Sequence, residues 1–319
     1  MPTGKGCDDM HGYPIVWWII GAACAVSLCA DVSANYQAKN VFIVIADQFR
    51  FDDSWGDKNR AYIPRISKEL TPKGSRVETF YGNPSFMAQV HLTILTGSWN
   101  DVRRIDPKTH PTQPTLFEVY RKKLGKPKEA TYFITSKREY YYLEHSEHEE
   151  YGEEYGPVFE VTKEEGNDQE LMQRLRDRMK THRPSLVVVL LGQMKSYNKK
   201  RNEKEMATYR QQMRAVDTML ADLWQVIQSS PPYRDATDLF FVNDHGDLIT
   251  HEDCDDECKR YMVIFAIGPD IRADYVSTQK WRQNNIAPTA LKILGVNGWK
   301  EADIMKDFLV TADDEKKKK

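Results

Sequence analysis

Cysteine is scarce in this sequence, with five among 319 residues, and neither sign of charge prevails. Five cysteines are too few for a disulfide framework, which excludes the small disulfide-stapled secreted domains. The 45 basic and 47 acidic residues leave a net charge of −2, so no general attraction to polyanions exists and no nucleic-acid partner is expected. A content of 40% apolar and 11% aromatic residues nevertheless supports a substantial buried core.

Only Cys254 and Cys258 are close enough in sequence to suggest a local disulfide bridge. Two states of this pair remain open: a disulfide bond within the loop, or two free thiols in an acidic loop. A zinc knuckle is disfavoured because no second pair of cysteines or histidines accompanies them.

Long hydrophobic runs are also rare, and one stands out at residues 12–30. These 19 residues contain no charge, and as a helix they would extend about 28 Å, close to the thickness of a bilayer core. We expect a retained transmembrane helix, a single-pass membrane protein and the lipid bilayer as a partner. The alternative is a cleaved signal peptide and a secreted form, because small residues follow at Ala30, Ser33 and Ala34.

The rest of the chain alternates strand-like and helix-like segments. Continuous β-branched or aromatic runs, typical of strands buried on both faces, occur at residues 40–47, 131–135, 185–191, 238–242 and 261–267. Amphipathic helical periodicity occurs at residues 115–124, 203–227 and 286–294. This pattern predicts an α/β domain with a mostly parallel sheet flanked by helices. We place the membrane segment at 1–36, the α/β domain at 37–311 and a charged tail at 312–319.

A stretch rich in Glu, Tyr and Gly, residues 144–165, interrupts this alternation and is poor in aliphatic side chains. We interpret it as an exposed excursion from the domain. Its tyrosines and acidic residues at 139–155 form a candidate contact surface for a protein partner, although an exposed loop without a partner fits equally well.

Polar residues follow two of the buried runs. The carboxyl ends of parallel strands are where ligands bind in open α/β sheets. Asp47 follows the first strand, and Asp244 and His245 follow the fourth, with His251 six residues further on. Carboxylate oxygens and imidazole nitrogens at one sheet edge can bind a divalent cation. Asp47 can equally be a helix cap, and the Asp244 turn can be an ordinary hydrogen-bonded turn.

Taken together, these motifs resemble the alkaline phosphatase superfamily, specifically its sulfatase and nucleotide-pyrophosphatase-like branches. The resemblance extends over residues 40–296. It rests on five segments in the same order, which begin with NVFIVIADQFRFDD, continue through the 63–97 segment ending in LTG, TLFEVYRKKLG and Asp244-His245-Gly246, and end with NIAPTALKILGV.

The resemblance implies an alkaline-phosphatase-like sheet, an extracytoplasmic location, and two metal ions beside a hydroxyl or thiol nucleophile. Asp47, Asp244 and His245 match the first metal set, and His251 matches the last ligand of the second. The alignment through His91 and the LTG end puts Met87 at the nucleophile position and Gln89 at a usual proline. A thioether has no proton to lose and cannot become the attacking oxygen, so the first step of covalent transfer is missing.

The second metal set departs from the family pattern as well. Lys195 falls at the position of an aspartate and Lys199 at that of a histidine. An ammonium group has no lone pair for a metal and repels it. We therefore expect no cofactor, or at most one divalent ion (Zn, Ca or Mg), and interpret Asp47, Asp244, His245 and His251 as a remnant site. The two lysines would neutralise the buried carboxylates as a salt-bridged plug, unless they lie in solvent and the alignment is shifted.

Three functions are compatible with this pattern. The first is a catalytically silent, membrane-anchored sulfatase-like or phosphatase-like protein that acts as a structural or interaction subunit of an assembly. The second is an active metal-dependent phosphoester or sulfate-ester hydrolase. It would use either a displaced nucleophile, for which Ser85 and Thr93 are nearest, or water activated by a single metal ion. The third is an anion-binding module in which Lys195, Lys199 and His91, together with His245 and His251, surround the anion. We favour the first, a pseudoenzyme.

Overall fold

The buried β-branched runs assemble into one large sheet, in a computed structural model that describes residues 36–77, 80–81, 87–99, 110–194, 202–244 and 262–310. The side chains of Tyr81, Met87 and Ala88 are outside this description. The described residues belong to one unit, Ala34–Lys319. The strands are β1 (Asn40–Ala46), β2 (Gly74–Val77), β3 (Phe80–Tyr81), β4 (Thr131–Thr135), β5 (Val158–Val161), β6 (Leu186–Leu191), β7 (Thr237–Asn243), β8 (Ile264–Ile267), β9 (Tyr275–Ser277) and β10 (Trp281–Arg282).

Eight of these strands form the main sheet in the order β5-β4-β6-β1-β7-β8-β2-β9, and β10 pairs with β3 separately. The central strands β4, β6, β1 and β7 run parallel, while β8 is antiparallel to both β7 and β2. The prediction of a mostly parallel sheet at the five apolar runs is confirmed. Five short strands, β2, β3, β5, β9 and β10, were not predicted.

Helices cover both faces of the sheet: α1 (Met87–Thr96), α2 (Leu116–Leu124), α3 (Asp168–Thr181), α4 (Glu203–Ser229) and α5 (Ile286–Ile293). Alternate residues of β1 face opposite sides. Val41, Ile43 and Ile45 pack in the cluster that contains α1, α2 and α5. Phe42, Val44 and Ala46 pack in the cluster that contains α3 and α4. Burial on both faces explains why β1 has no polar alternation.

The predicted helices at 115–124, 203–227 and 286–294 are confirmed within two residues at each end. Helix α2 begins at a capping box, in which the Thr115 hydroxyl accepts from the Glu118 amide and the Glu118 carboxylate accepts from the Thr115 amide. Gly125 ends the helix in the left-handed conformation, with φ of 59°.

The Glu- and Tyr-rich stretch at residues 144–165 is folded onto the domain, which corrects its interpretation as an exposed excursion. Its Ser146 is buried, and its residues Val158–Val161 form strand β5 of the main sheet. The candidate contact surface at 139–155 begins within a 3-10 helix, Arg138–Leu143, in which Tyr140, Tyr142 and Leu143 are buried. Further on, the Lys122 ammonium of α2 lies 4.7 Å from the ring centroid of Tyr151. Most of the aromatic surface that suggested a partner is therefore used within the chain. Tyr141 is the exception, with 38% of its surface exposed.

The prediction of a single-pass membrane protein is corrected. Across the part of the chain that the structure describes, no helix combines the length and the apolar character needed to cross a membrane. The apolar run at residues 12–30 lies outside the described residues.

Two further carboxyl groups are buried near the amino-terminal end of β7, at the opposite ends of the strands from Asp47 and Asp244. Asp238 is in β7, and its Oδ1 accepts a hydrogen bond from the Asp270 amide at 3.2 Å. The Asp270 carboxylate accepts from the amides of Gln37 and Ala38 at 2.7 and 2.8 Å. Burial raises the pKa of Asp238 well above its ordinary value, and the negative charge of Asp270 raises it further.

A raised pKa in the folded state makes stability fall as the pH rises. The unfolded chain releases the Asp238 proton near pH 4, whereas the folded chain keeps it to higher pH, so ionisation costs folding free energy above that point. We expect Asp238→Asn, whose amide replaces the protonated acid, to flatten the decline in unfolding free energy between pH 4 and pH 8. Asp235→Asn, at an exposed turn, should leave it unchanged. Urea denaturation across this pH range tests the expectation, and equal slopes in wild type and Asp238→Asn would contradict it.

Candidate functional site

Two carboxylates lie where neighbouring parallel strands end. Asp47 directly follows β1 and Asp244 directly follows β7. The two strands are paired in register, with Ala46 opposite Asn243, so the two aspartates are adjacent at one edge of the sheet. Both side chains are buried, with Asp47 4% and Asp244 0% exposed. The structure brings these two predicted site residues together, and their role as metal ligands stays a prediction.

The turn after β1 is strained and is held from two sides. Gln48 has a φ of 49°, in the left-handed region that non-glycine residues seldom adopt. Its amide donates to Asp244 Oδ1 at 3.0 Å, and its carbonyl accepts from the Tyr209 hydroxyl at 3.0 Å. The same hydroxyl accepts from the Arg50 amide. These bonds set the direction in which Asp47 leaves the strand.

The end of β7 is held by buried amide side chains. Asn243 donates to the Phe49 carbonyl at 3.2 Å and accepts from the Val263 amide at 2.6 Å. Gln283 donates to the Asp244 carbonyl. Helix α1 lies against the segment that contains Gln283, which brings the helix to the same edge.

Helix α1 contributes a buried histidine. His91 is 1% exposed, and its Nε2 lies 3.5 Å from Asp244 Oδ2. The ring of Tyr140 packs edge-on against His91, with centroids 4.8 Å apart. The structure thus puts His91, which the sequence assigned to anion binding, beside a carboxylate.

The cation on Asp47 is a residue that the sequence analysis missed. Lys137 Nζ lies 3.3 Å from Asp47 Oδ2. Lys137 follows β4 by two residues, so applying the rule of polar residues after buried strands to this strand would have found it. The neighbouring Tyr140 was missed as well. Burial and then the negative charges of Asp47 and Asp244 raise its pKa, so Tyr140 remains a neutral phenol and not a phenolate nucleophile.

Asp168, at the start of α3, joins the ends of β4 and β6. Its Oδ1 accepts from the Ser136 hydroxyl at 3.1 Å and from the Gly192 amide at 2.8 Å. Its Oδ2 accepts from the Gln193 amide at 2.9 Å. Burial raises the pKa of this carboxyl, against the lowering effect of these hydrogen bonds. No strand-end or motif signal in the sequence identifies Asp168.

The other predicted site residues are only partly described. Met87 belongs to α1 (Met87–Thr96), and its assignment to the nucleophile position stays a prediction. The remaining predicted site residues lie outside the described residues, so their assignments stay predictions: Lys195, Lys199, His245 and His251. The cysteine pair Cys254 and Cys258 and the alternative nucleophile Ser85 lie outside them too.

The described side chains do not fit a divalent metal ion. Within the described ranges, no group of three or more His, Cys, Asp or Glu side chains could hold one. The Asp47 oxygen that would be a ligand instead contacts an ammonium group at 3.3 Å, and an ammonium cannot ligate a metal. The prediction of no cofactor, or of at most one divalent ion, remains to be tested.

Comparison with known proteins identifies solved structures with this fold. No family model matches the sequence, and no curated protein matches it. A protein of the alkaline phosphatase superfamily from Vibrio parahaemolyticus superposes with a TM-score of 0.64 and 16% identity, over 83% of this chain and 68% of that one. The lipoteichoic acid synthase LtaP from Listeria monocytogenes gives 0.63 and 14%, over 86% and 76%. The PsFucS1 sulfatase from Pseudoalteromonas sp. gives 0.59 and 14%, over 82% and 68%.

These identities are too low to transfer an activity, but the superpositions cover most of this chain and more than two thirds of each neighbour. The mostly parallel sheet with helices on both faces agrees with the fold that the sequence resemblance implied. This chain has the fold of the alkaline phosphatase superfamily.

Proposed function

We propose that this chain is a catalytically silent protein with a sulfatase and phosphoesterase fold, and that it acts as a structural or interaction subunit of a protein assembly. The observation that carries this proposal is the contact between Lys137 Nζ and Asp47 Oδ2 at 3.3 Å. A catalytic carboxylate of this fold, by the resemblance, binds a metal ion. Here a side chain of the protein itself neutralises it.

The residue that the sequence resemblance puts at the nucleophile position supports the same proposal. This residue is Met87 of α1, and a thioether supplies neither a proton nor an attacking oxygen. Thr93, one of the two alternative nucleophiles, is 0% exposed in the second turn of α1. Its hydroxyl is therefore buried away from any substrate in solution.

A protein partner, rather than a small substrate, is consistent with the exposed aromatic side chains. Trp99 and Tyr141 are the exposed large apolar residues in the described ranges, at 42% and 38%. The guanidinium of Arg282 lies 5.4 Å from the Trp99 ring centroid. Aromatic and arginine side chains are enriched in protein interfaces.

An assay of hydrolysis tests the proposal against the alternative of an active phosphoric or sulfuric ester hydrolase. The full chain is assayed with p-nitrophenyl phosphate and p-nitrophenyl sulfate, with Zn²⁺, Mg²⁺ or Ca²⁺ added, beside an active sulfatase of the same fold. We expect no release of p-nitrophenol above that of buffer. Turnover that is lost in Asp47→Asn and kept in Asp52→Asn, whose side chain is 76% exposed, would overturn the proposal.

A further inference from the structure

Lys137 reaches Asp47 across an intervening strand. The sheet order places β6 between β4, which Lys137 follows, and β1, which Asp47 follows. Adjacent strands are about 4.8 Å apart, so the two strand ends are separated by roughly 10 Å. The lysine side chain must therefore extend over the end of β6 to place Nζ at 3.3 Å from Asp47 Oδ2.

The residue under this side chain is a glycine. Gly192 directly follows β6, and a Cβ atom built on it would overlap Ser136 Oγ and would lie 3.0 Å from Lys137 Cγ and 3.1 Å from Lys137 Cε. The missing side chain at Gly192 leaves the space in which the lysine methylenes lie. The side chain of Lys137 is 15% exposed, so most of it is removed from water along this path.

The backbone on both sides of this path is tied to one carboxylate. Asp168 binds the Ser136 hydroxyl, immediately before Lys137, and the Gly192 and Gln193 amides under its side chain. These bonds fix the distance between the backbone at Lys137 and the backbone at Gly192, over which the lysine side chain lies. A lysine side chain held in this way loses less conformational freedom when it pairs with a carboxylate than an exposed lysine does, and this strengthens the ion pair.

We infer that the Lys137 ammonium replaces a divalent metal ion at this site. The lysine side chain lies on Gly192 and is aligned by the hydrogen bonds of Asp168. Its ammonium occupies the position on Asp47 that a divalent ion would need, and it thereby excludes that ion. This inference rests on the proposed function, because it accounts for the misfit of the site to a metal. It also makes a separate claim. Removal of the lysine charge alone is expected to allow an ion to bind at Asp47.

Electrostatics sets the size of the expected effect. A divalent ion bound to a carboxylate lies 2.0–2.6 Å from its oxygens, within a few ångströms of an ammonium at 3.3 Å from Asp47 Oδ2. At that separation, and at the effective dielectric constant of protein sites, the repulsion corresponds to on the order of a hundredfold or more in affinity. In Lys137→Gln the stem still lies along Gly192, the charge is removed, and the carboxamide oxygen is a ligand that hard cations accept.

The experiment is a titration of the full chain with Mn²⁺ and with Ca²⁺ by calorimetry, with bound metal measured by mass spectrometry after dialysis. Lys128→Gln, at an exposed residue, is the matched control. We expect no saturable binding at millimolar ion in wild type and Lys128→Gln, and about one ion bound at least a hundredfold more tightly in Lys137→Gln. The double variant Asp47→Asn with Lys137→Gln should lose this binding.

A second variant tests the path rather than the charge. Gly192→Ala keeps the lysine but fills the space under it, so we expect an ion affinity between those of wild type and Lys137→Gln. Lys137→Ala replaces Lys137→Gln if the latter does not fold, as judged by circular dichroism. Saturable binding by wild type as tight as in Lys137→Gln would overturn the inference. Failure of the folded Lys137 variant, Lys137→Gln or its replacement, to bind Mn²⁺ or Ca²⁺ would overturn it too.

These outcomes are separate from those of the proposed function. Hydrolysis of p-nitrophenyl esters by wild type in the absence of bound metal would refute the proposed function and leave Lys137 as the cation of the site. Conversely, a Lys137→Gln protein that binds no metal, with an inactive wild type, would refute the inference alone.

Discussion

Replacement of Asp168 by alanine is expected to lower the free energy of unfolding by about 4 kcal/mol. The carboxylate is fully buried and accepts three hydrogen bonds, from the Ser136 hydroxyl and the Gly192 and Gln193 amides. Alanine leaves all three donors without their acceptor in the interior, and each such loss costs about 1–3 kcal/mol. Urea denaturation of wild type and variant measures the difference.

Two further variants show whether the loss comes from these hydrogen bonds. Asp177→Ala, at an exposed residue of the same helix, should change stability by less than about 0.5 kcal/mol. Asp168→Asn keeps the shape but turns an amide NH₂ toward backbone donors, so it should also destabilise by more than about 1 kcal/mol. An Asp168→Asn protein as stable as wild type would contradict the expectation. If Asp168 acts through Lys137, folded Asp168→Asn should in addition bind Mn²⁺ more tightly than wild type.

A loss of similar size, about 4 kcal/mol, is expected for Glu118→Ala. Glu118 is 0% exposed in the first turn of α2. One carboxylate oxygen accepts from the Thr115 amide at 2.6 Å, and the other accepts from the amide and the hydroxyl of Ser146 at 3.0 and 2.6 Å. The alanine variant loses both the helix cap and the hydrogen bonds that join α2 to Ser146 in the Glu- and Tyr-rich stretch.

The Glu118 expectation is checked by thermal and urea denaturation. Lys123→Ala, exposed on the same helix, serves as the control and should lie within about 0.5 kcal/mol of wild type. Limited proteolysis adds a local readout, because loss of the Ser146 contacts should expose residues 144–157 to cleavage before the rest of the domain unfolds. A Glu118→Ala protein with unchanged stability and unchanged cleavage would show that the carboxylate contributes nothing net.

At the candidate site, each of two buried carboxylates has its own partner. Asp47 is paired with Lys137, and Asp244 lies beside His91 and accepts from the Gln48 amide. Buried carboxylates without such partners would carry a large desolvation cost. The pairing therefore explains how two carboxylates can be buried side by side at one edge of the sheet.

Most of the central architecture was predictable because burial on two faces leaves a direct trace in the sequence. The runs at 40–47 and 185–191 are apolar except at their polar end residues, and such runs have few alternatives to a parallel strand in an α/β pattern. The short edge strands β5 and β9 were not predictable in the same way. Their residues are largely half-buried, and their pairing depends on neighbours far away in the chain.

The interpretation of the Glu- and Tyr-rich stretch as an exposed loop was wrong for a related reason. Its composition is polar, yet Tyr151 and Phe159 pack against the cluster with α1 and α2, and Val158–Val161 pairs with β4 in the main sheet. A buried carboxylate of α2, Glu118, provides the acceptor that its Ser146 requires. Low aliphatic content indicates weak intrinsic folding, not the absence of contacts with a preformed domain.

The sequence by itself determined the α/β class, the order of the central strands along the chain, and the two aspartates at one sheet edge, because each depends on local apolar runs and on the residue after them. Only the tertiary structure decided which cation meets Asp47. Lys137 and Asp47 are 90 positions apart in sequence, and their contact requires the strand order β4-β6-β1 and the space above Gly192. Neither of these properties belongs to any single segment, since both arise when separate strands are assembled into one sheet.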